Sequence, residues 1–159
     1  MLAHLHPAQQ KRLQRIRQLS HVLDEAIRIP GTNKRIGLDP IIGLFPGGGD
    51  TVSMLLSAYI VVESALLGLP KATLLRMVLN IVIDALTGTV PFLGDLFDAV
   101  SKANTRNLKL VDAHVNQPQF QAKVDLFFIA GLVIVLALMV VSFAALVALL
   151  LGFLKSFFP

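Results

Sequence analysis

The sequence predicts an all-α integral membrane protein with about three membrane-spanning helices, and three observations support this fold class. The chain is 55% hydrophobic and 15% charged, whereas soluble domains carry about 25% charged residues. Residues 126–154 contain no charged side chain. Two stretches with the same spacing of proline, glycine and aspartate interrupt the apolar segments, which predicts two matched helix breaks.

The composition excludes several kinds of site. The 159 residues include no cysteine, so disulfides and cysteine-bound metals are excluded. The four histidines have neither metal-ligand spacing nor an evident nucleophile partner, so we expect no enzymatic activity, no cofactor and no metal site. The excess of fourteen bases over ten acids is modest, and we expect no nucleic-acid partner. The polar N-terminus predicts no secretory signal peptide.

Residues 1–36 are predicted to form a basic amphipathic helix followed by a linker. Apolar side chains recur at helical spacing, at Leu13, Ile16, Leu19, Leu23 and Ile27. The other faces carry the bases Lys11, Arg12, Arg15 and Arg17. Such a helix either lies on an anionic membrane leaflet or packs on another part of the protein.

Residues 37–114 are predicted to form a membrane hairpin with candidate spans at 51–69 and 72–90. An ionisable group at the centre of a span costs about 3 kcal/mol, so the polar side chains are expected to face each other. Folding the chain at Pro70 brings Glu63 opposite Arg76, which predicts an ion pair. The same fold predicts a polar seam between the two helices, which includes Ser53, Ser57, Tyr59, Asn80, Asp84 and Thr87.

A motif repeats inside this hairpin at an offset of 45 residues. Residues 39–50 and 84–95 both follow the pattern D-x3-G-x2-P-x2-G-D. Proline with glycine interrupts a helix, and an aspartate directly after glycine is well suited to cap the next one. The first break either dips into the bilayer or lies along its surface. The aspartates that bound the two copies are Asp39, Asp50, Asp84 and Asp95.

These polar residues have two interpretations. In the first, the four aspartates with Asn80, Ser57 and Thr87 line an ion or small-solute pathway in an oligomer, since paired helix breaks point to such sites. In the second, they cap helices and hold them together by hydrogen bonds. The protein would then be a structural or accessory subunit of a larger membrane complex.

The C-terminal half is predicted to contain a polar helix over 96–114, a linker over 115–125 and a final span within 126–159. A bilayer core needs about 20 helical residues, which the uncharged run exceeds. Small residues recur every fourth position, a pattern typical of close helix packing in membranes, at Ala144, Ala148 and Gly152. We therefore expect a homo-oligomer or a larger membrane complex.

The basic segments set the predicted orientation, because such segments remain in the cytoplasm. The N-terminus is then cytoplasmic, against the anionic leaflet of a bacterial inner membrane. The chain is predicted to cross outward at 51–69, inward at 72–90 and outward at 126–154. Residues 11–35 and 102–123 lie inside, and the short loop with Lys71 lies outside.

The hairpin resembles an uncharacterised bacterial membrane family, domain of unknown function 4112, over roughly residues 20–112. The residues that carry this resemblance are Arg28-Ile-Pro-Gly31-Thr, Gly37-Leu-Asp39, Pro46-Gly47, Gly49-Asp50, Asp84, Pro91, Gly94-Asp95 and Lys102-Ala-Asn104. The resemblance implies a small integral membrane protein, and it assigns no catalytic residue. The final span lies outside the shared region.

Overall fold

The computed structural model describes residues 5–28, 30–31, 35–43, 48–88, 102–117 and 123–157, which are almost entirely helical. The elements in this part of the chain are α1 Pro7–Glu25, β1 Ile27–Arg28, β2 Arg35–Ile36, α2 Asp39–Gly43, α3 Gly49–Leu67, α4 Lys71–Gly88, α5 Ala103–Val115 and α6 Leu126–Phe157. The all-α class is confirmed. The two short strands pair antiparallel where the sequence predicted only a linker.

Helix α1 is part of the core of the protein. Proline at position 7 starts the helix, where a missing N–H costs no hydrogen bond, and the His6 N–H donates to Gln9 Oε1 at 2.9 Å. The apolar stripe of Leu13, Ile16 and Leu23 is buried against α3 and α5. Of the two predicted alternatives, packing on the rest of the protein is therefore the correct one.

The α3–α4 hairpin forms as the sequence predicted. Gly68 ends α3 with a φ of 94°, which only glycine adopts without strain. Its N–H donates to Ala65 O at 3.0 Å, and the Leu69 N–H donates to Ser64 O at 3.2 Å. This is the hydrogen-bond pattern of a glycine-terminated helix, and Pro70 then precedes α4.

Helix α5 runs back along α4 and closes a bundle of four long helices. Asn80 near the middle of α4 bonds Asn107, and Thr73 near its start lies 3.1 Å from the ring of His114 near the end of α5. Helix α5 also packs on α1, which packs on α3. The bundle core is therefore enclosed by α1, α3, α4 and α5 in turn.

Helix α6 lies along α3 outside this bundle. Its Ile129, Leu132, Leu136 and Val140 are buried and recur on one face of the helix. The remaining faces are exposed and apolar, and Phe127, for example, is 94% exposed. An uncharged helix with this much exposed apolar surface needs lipid or a partner to cover it.

Two helices in the described part of the chain are long and apolar enough to cross a membrane, α3 and α6. In α3, half of the apolar window is buried inside the protein, whereas in α6 the buried share is 17%. The third predicted span corresponds to α4, which does not meet this criterion. By length and composition, the described residues therefore contain two candidate membrane spans, and the predicted count of three is not confirmed.

The predicted path of the chain is wrong in one respect. Lys71 at the start of α4 forms a 2.7 Å ion pair with Asp125, directly before α6. The prediction had these residues on opposite sides of a membrane. They meet because α5 returns the chain along α4, so that α6 starts at the end of the bundle where α3 ends.

Candidate functional site: a buried acid–amide network

The polar centre of the protein is organised around Asn104 in the first turn of α5. Its Nδ2 donates to Asp24 Oδ1 at 2.9 Å and to Asp39 Oδ2 at 3.1 Å. The Thr105 N–H donates to Asp24 Oδ2 at 2.6 Å, and the Ser53 hydroxyl donates to Asp39 Oδ1. These hydrogen bonds join α1, α2, α3 and α5 at one point.

Local structure explains why these side chains reach the interior. Asp24 follows Leu23 in the last turn of α1, and it lies four residues after Ser20, so both share the buried face of the helix. Ser20 Oγ donates to Asn104 O at 2.9 Å. Asp39 is the first residue of α2. Asn104 is completely buried, and such amides persist in cores only where they are hydrogen-bonded.

Asp84, towards the end of α4, is the third carboxyl of this region. Burial raises its pKa to about 7, and the neighbouring charges of Asp24 and Asp39 add to the increase. Arg106 and a hydrogen bond from the Ala103 N–H act in the opposite direction. Burial likewise raises the pKa of Asp39 to about 6 and raises that of Asp24. Carboxyls that raise one another's pKa in this way can share a proton.

The structure brings two of the four predicted motif aspartates together, Asp39 and Asp84. Asp50 lies exposed in the first turn of α3, three residues before Ser53, and Asp95 lies outside the described residues. Ser57 is buried on α3, and Thr87 lies in the last turn of α4. Within the described ranges, no group of three or more histidine, aspartate or glutamate side chains could hold a metal ion.

Asn80 on α4 faces α5, whereas the predicted polar seam placed it against α3. Asn80 Nδ2 donates to Asn107 Oδ1 at 2.8 Å, and Asn107 Nδ2 donates to Met77 O at 3.2 Å. Asp84 likewise faces the start of α5. The expected pairing of these residues with Ser53 and Ser57 of α3 is therefore wrong, because the hydroxyl of Ser53 is used by Asp39.

The predicted ion pair between Glu63 and Arg76 is also wrong. Glu63 Oε2 lies 2.9 Å from Arg12 and 3.2 Å from Arg15, and the Tyr59 hydroxyl donates to Glu63 Oε1 at 2.9 Å. The hairpin sets the depth of Glu63, but its side chain points to α1. Arg76 is exposed on α4, and it takes part in none of the ion pairs among the described residues.

No role was predicted from the sequence for Asp24, Asn104 or Asn107, although Asn104 is among the residues that carry the family resemblance. The sequence does mark each of them, because each is a polar residue on a helical face that is otherwise apolar or small. In α1 the buried face runs through Leu13, Ile16, Ser20, Leu23 and Asp24. In α5 it runs through Ala103, Asn104, Asn107, Val111 and Val115. A buried polar residue on such a face needs a partner from another element.

The predicted small-residue stripe lies on the second half of α6, past the residues that pack on α3. Ala144 is half-buried, and Ala148 and Gly152 are exposed. A Cβ at Gly152 would meet no atom within 4 Å. The role of this stripe in assembly stays a prediction.

Comparison with known proteins identifies one family. A family model described as "Domain of unknown function (DUF4112)" matches residues 12–115, which include all of the described acid–amide network. Searches of curated proteins and of solved structures find no match. Because the match covers more than half of the chain and extends from α1 to the end of α5, the protein belongs to the DUF4112 family.

Proposed function

We propose that the protein is a non-enzymatic helical bundle, attached to a membrane by α6, that acts as a structural or accessory subunit of a membrane complex. One observation carries this proposal: the charged helices α1 and α5 flank α3 and α4 along their lengths. A bilayer that enclosed α3 would also enclose the bases of α1 and the Arg17–Asp112 ion pair between α1 and α5.

The energetic argument favours a bundle outside the hydrocarbon. Each charged side chain at the centre of a bilayer costs about 3 kcal/mol on insertion scales, and α1 alone carries Lys11, Arg12, Arg15 and Arg17. In this proposal α3 is the core helix of the bundle, which agrees with its half-buried apolar window. Helix α6, uncharged from 126 to 154, is the segment that enters lipid.

The acid–amide network then serves to hold the helices together. Each carboxylate oxygen of Asp24 and Asp39 accepts a hydrogen bond from another element. Hydrogen bonds of this kind fix the relative position of packed helices. The bases of α1 and α5 lie on one body, so the positive-inside tendency favours a cytoplasmic bundle and N-terminus in a bacterial inner membrane. A homo-oligomer or a larger complex would cover the exposed faces of α6.

The absence of cysteine allows a direct test with single cysteine substitutions and a membrane-impermeant maleimide on sealed vesicles. Asp50→Cys places an exposed thiol in the first turn of α3, and Ala72→Cys places one at the start of α4, next to the other end of α3. We expect both to react from the same side of the vesicle. Reaction from opposite sides would mean that α3 crosses the bilayer, which would overturn the proposal in favour of a multi-pass protein.

Two further positions test α6 in the same assay. Val124→Cys and Ser156→Cys flank the apolar helix and are exposed, and we expect them to react from opposite sides. Ile134→Cys, 60% exposed near the middle of the first half of α6, should resist the reagent until detergent is added. Labelling of Val124→Cys and Ser156→Cys from one side would show that α6 does not cross.

A second candidate function is an oligomeric ion or small-solute pathway, favoured by the proximity of Asp24, Asp39 and Asp84. The Oδ1 atom of Asn104 adds a buried acceptor that has no hydrogen-bond partner among the described residues. Cation flux into liposomes should then fall for Asp84→Asn and persist for Asp112→Asn, the same charge change on the bundle surface. A correctly assembled wild type without flux would exclude the pathway.

A further inference from the structure

A cleft of about 380 Å³ lies at the end of the bundle where α3 turns into α4 and α6 begins. We propose that this cleft binds the phosphate head group of an anionic phospholipid, with the start of an acyl chain against its apolar wall. The residues that line it are Ala65, Gly68, Leu69, Pro70, Lys71, Leu74, Lys123, Asp125, Phe128 and Ile129.

The lining of the cleft divides into an apolar wall and a charged rim. Leu69, Leu74 and Ile129 are buried and form part of the wall. Lys71, Lys123 and Asp125 supply two positive charges and one negative charge at the rim. An apolar wall beside a net positive rim matches an amphiphile with an anionic head better than it matches a fully polar solute.

Lys71 is positioned to exchange its present partner for a phosphate. Its ammonium lies 2.7 Å from Asp125 Oδ2 and 4.9 Å from the centre of the Phe128 ring, and the pair is largely exposed. Exposed ion pairs contribute little to stability, so a phosphate can compete with Asp125. Lys123 is exposed and takes part in no ion pair within the described ranges.

Both α4 and α6 begin at this end of the bundle, and the amino ends of helices favour negative charge. Asp125 already places a negative charge at the amino end of α6, where the Phe128 N–H donates to Asp125 Oδ1 at 2.9 Å. Replacing Asp125 by asparagine keeps a side chain suited to cap α6 and removes the negative charge that competes for Lys71. The variant should therefore bind an anion more tightly.

The position of the cleft favours a lipid over a soluble phosphate compound. Leu126 and Phe127, directly beside it in the first turn of α6, are 70% and 94% exposed. They extend the apolar surface of α6 up to the rim, so a lipid beside α6 can place its head group at Lys71 and Lys123. This inference rests on the proposed attachment of α6 to the membrane, which a tryptophan on α6 tests separately.

The chain contains no tryptophan, so a single introduced tryptophan reports on its surroundings alone. We would place Phe128→Trp in the cleft and Ile134→Trp on the exposed face of α6 in separate proteins, reconstituted in phosphatidylcholine. Quenching by acyl-chain-brominated phosphatidylglycerol is then compared with quenching by brominated phosphatidylcholine. We expect Phe128→Trp to prefer the anionic lipid on the order of tenfold, since each lysine at a membrane surface adds to the attraction.

Three variants in the Phe128→Trp background test the assignment. Lys71→Gln with Lys123→Gln should abolish the preference, and Asp125→Asn should increase it. Lys109→Gln, an exposed lysine on α5, should leave it unchanged. An equal loss in Lys109→Gln, or a decrease in Asp125→Asn, would overturn the site, as would displacement of the lipid by inorganic phosphate.

The Ile134→Trp protein distinguishes failure of the site from failure of the proposed function. Quenching of Ile134→Trp by either lipid, without a preference at Phe128→Trp, would refute only the anionic-lipid site. Absence of quenching at Ile134→Trp would refute membrane attachment by α6, and the site would fall with it.

Discussion

Glu63 is a polar residue whose burial the sequence predicted and whose ion-pair partner it did not. Its side chain is 7% exposed and is held by two arginines of α1 rather than by the hairpin partner that the sequence suggested. A hairpin register fixes the depth of a residue along the helix axis. It does not fix the direction of the side chain around that axis, which depends on which other helices pack nearby.

Replacing Glu63 and Arg76 separately tests this assignment. Glu63→Gln should lower the free energy of unfolding by about 1–3 kcal/mol, because the guanidinium groups of Arg12 and Arg15 lose a charged acceptor. Arg76→Gln should leave stability within about 0.5 kcal/mol, as expected for an exposed position. The measurement is thermal unfolding in detergent, followed by circular dichroism. Equal effects of the two substitutions would support an ion pair between Glu63 and Arg76 instead.

At the scale of elements, the contact between β2 and α1 is controlled by Gly37. The Leu38 N–H donates to Val22 O at 3.0 Å, which holds the chain directly against the end of α1. A Cβ at Gly37 would overlap the backbone of Leu23 and Asp24. Glycine is required at this position by close backbone approach, and its loss would displace the helix turn that carries Asp24.

Gly37→Ala should therefore destabilise the protein at or above the usual range for overpacking, about 1–3 kcal/mol, since backbone atoms cannot change rotamer to relieve the overlap. Gly131→Ala is the matched control, because a Cβ there meets no atom within 4 Å and alanine favours a helix. Thermal unfolding of both variants gives the comparison. An undiminished melting temperature for Gly37→Ala would mean that α1 and β2 are not in this contact.

Most of the helices could be predicted from the sequence, but which helices pack on each other could not. The apolar segments at 51–69, 72–90 and 126–154 correspond to α3, α4 and α6, because length and hydropathy are local properties. The packing of α1 on α3 and of α5 on α4 depends on contacts between distant residues such as Ser20 and Asn104. A local pattern of apolar residues shows that a helix has a buried face, and it does not show which helix covers that face.

At the scale of the whole molecule, Asp24, Asp39 and Asp84 connect three helices to the start of α5. Asp39 and Asp84 occupy the same place in the two copies of the sequence repeat. The repeat did not identify Asp24 and Asn104, which lie outside the repeated pattern. The network therefore contains two aspartates from the repeated motif and two residues, Asp24 and Asn104, that join them only in the folded bundle.

The raised pKa of Asp84 predicts how stability depends on pH. The folded carboxyl has a pKa of about 7, above its ordinary value of 3.8, so the folded state binds its proton more tightly. Its contribution to stability is complete below about pH 4 and is lost as the pH rises through about 7. Asp24, Asp39 and Arg106 are the charged groups that influence this proton.

Asp84→Asn, which resembles the protonated form, should melt several degrees above the wild type at pH 8 and close to it at pH 4.5. Asp112→Asn, on the bundle surface beside Arg17, should show no gain at pH 8. Thermal unfolding at the two pH values measures both. A pH-independent difference between Asp84→Asn and wild type would contradict the raised pKa.

The closure of the bundle by α1 and α5 has a consequence for the order in which the protein folds. The α3–α4 hairpin joins near neighbours in the chain, so it can form early. Asn104 meets Asp24 across 80 residues, and Arg17 meets Asp112 across 95, and contacts of such separation form late. Because α1 is synthesised before α5, its apolar face stays exposed until α5 has been made. We expect the chain to be prone to aggregate during this time.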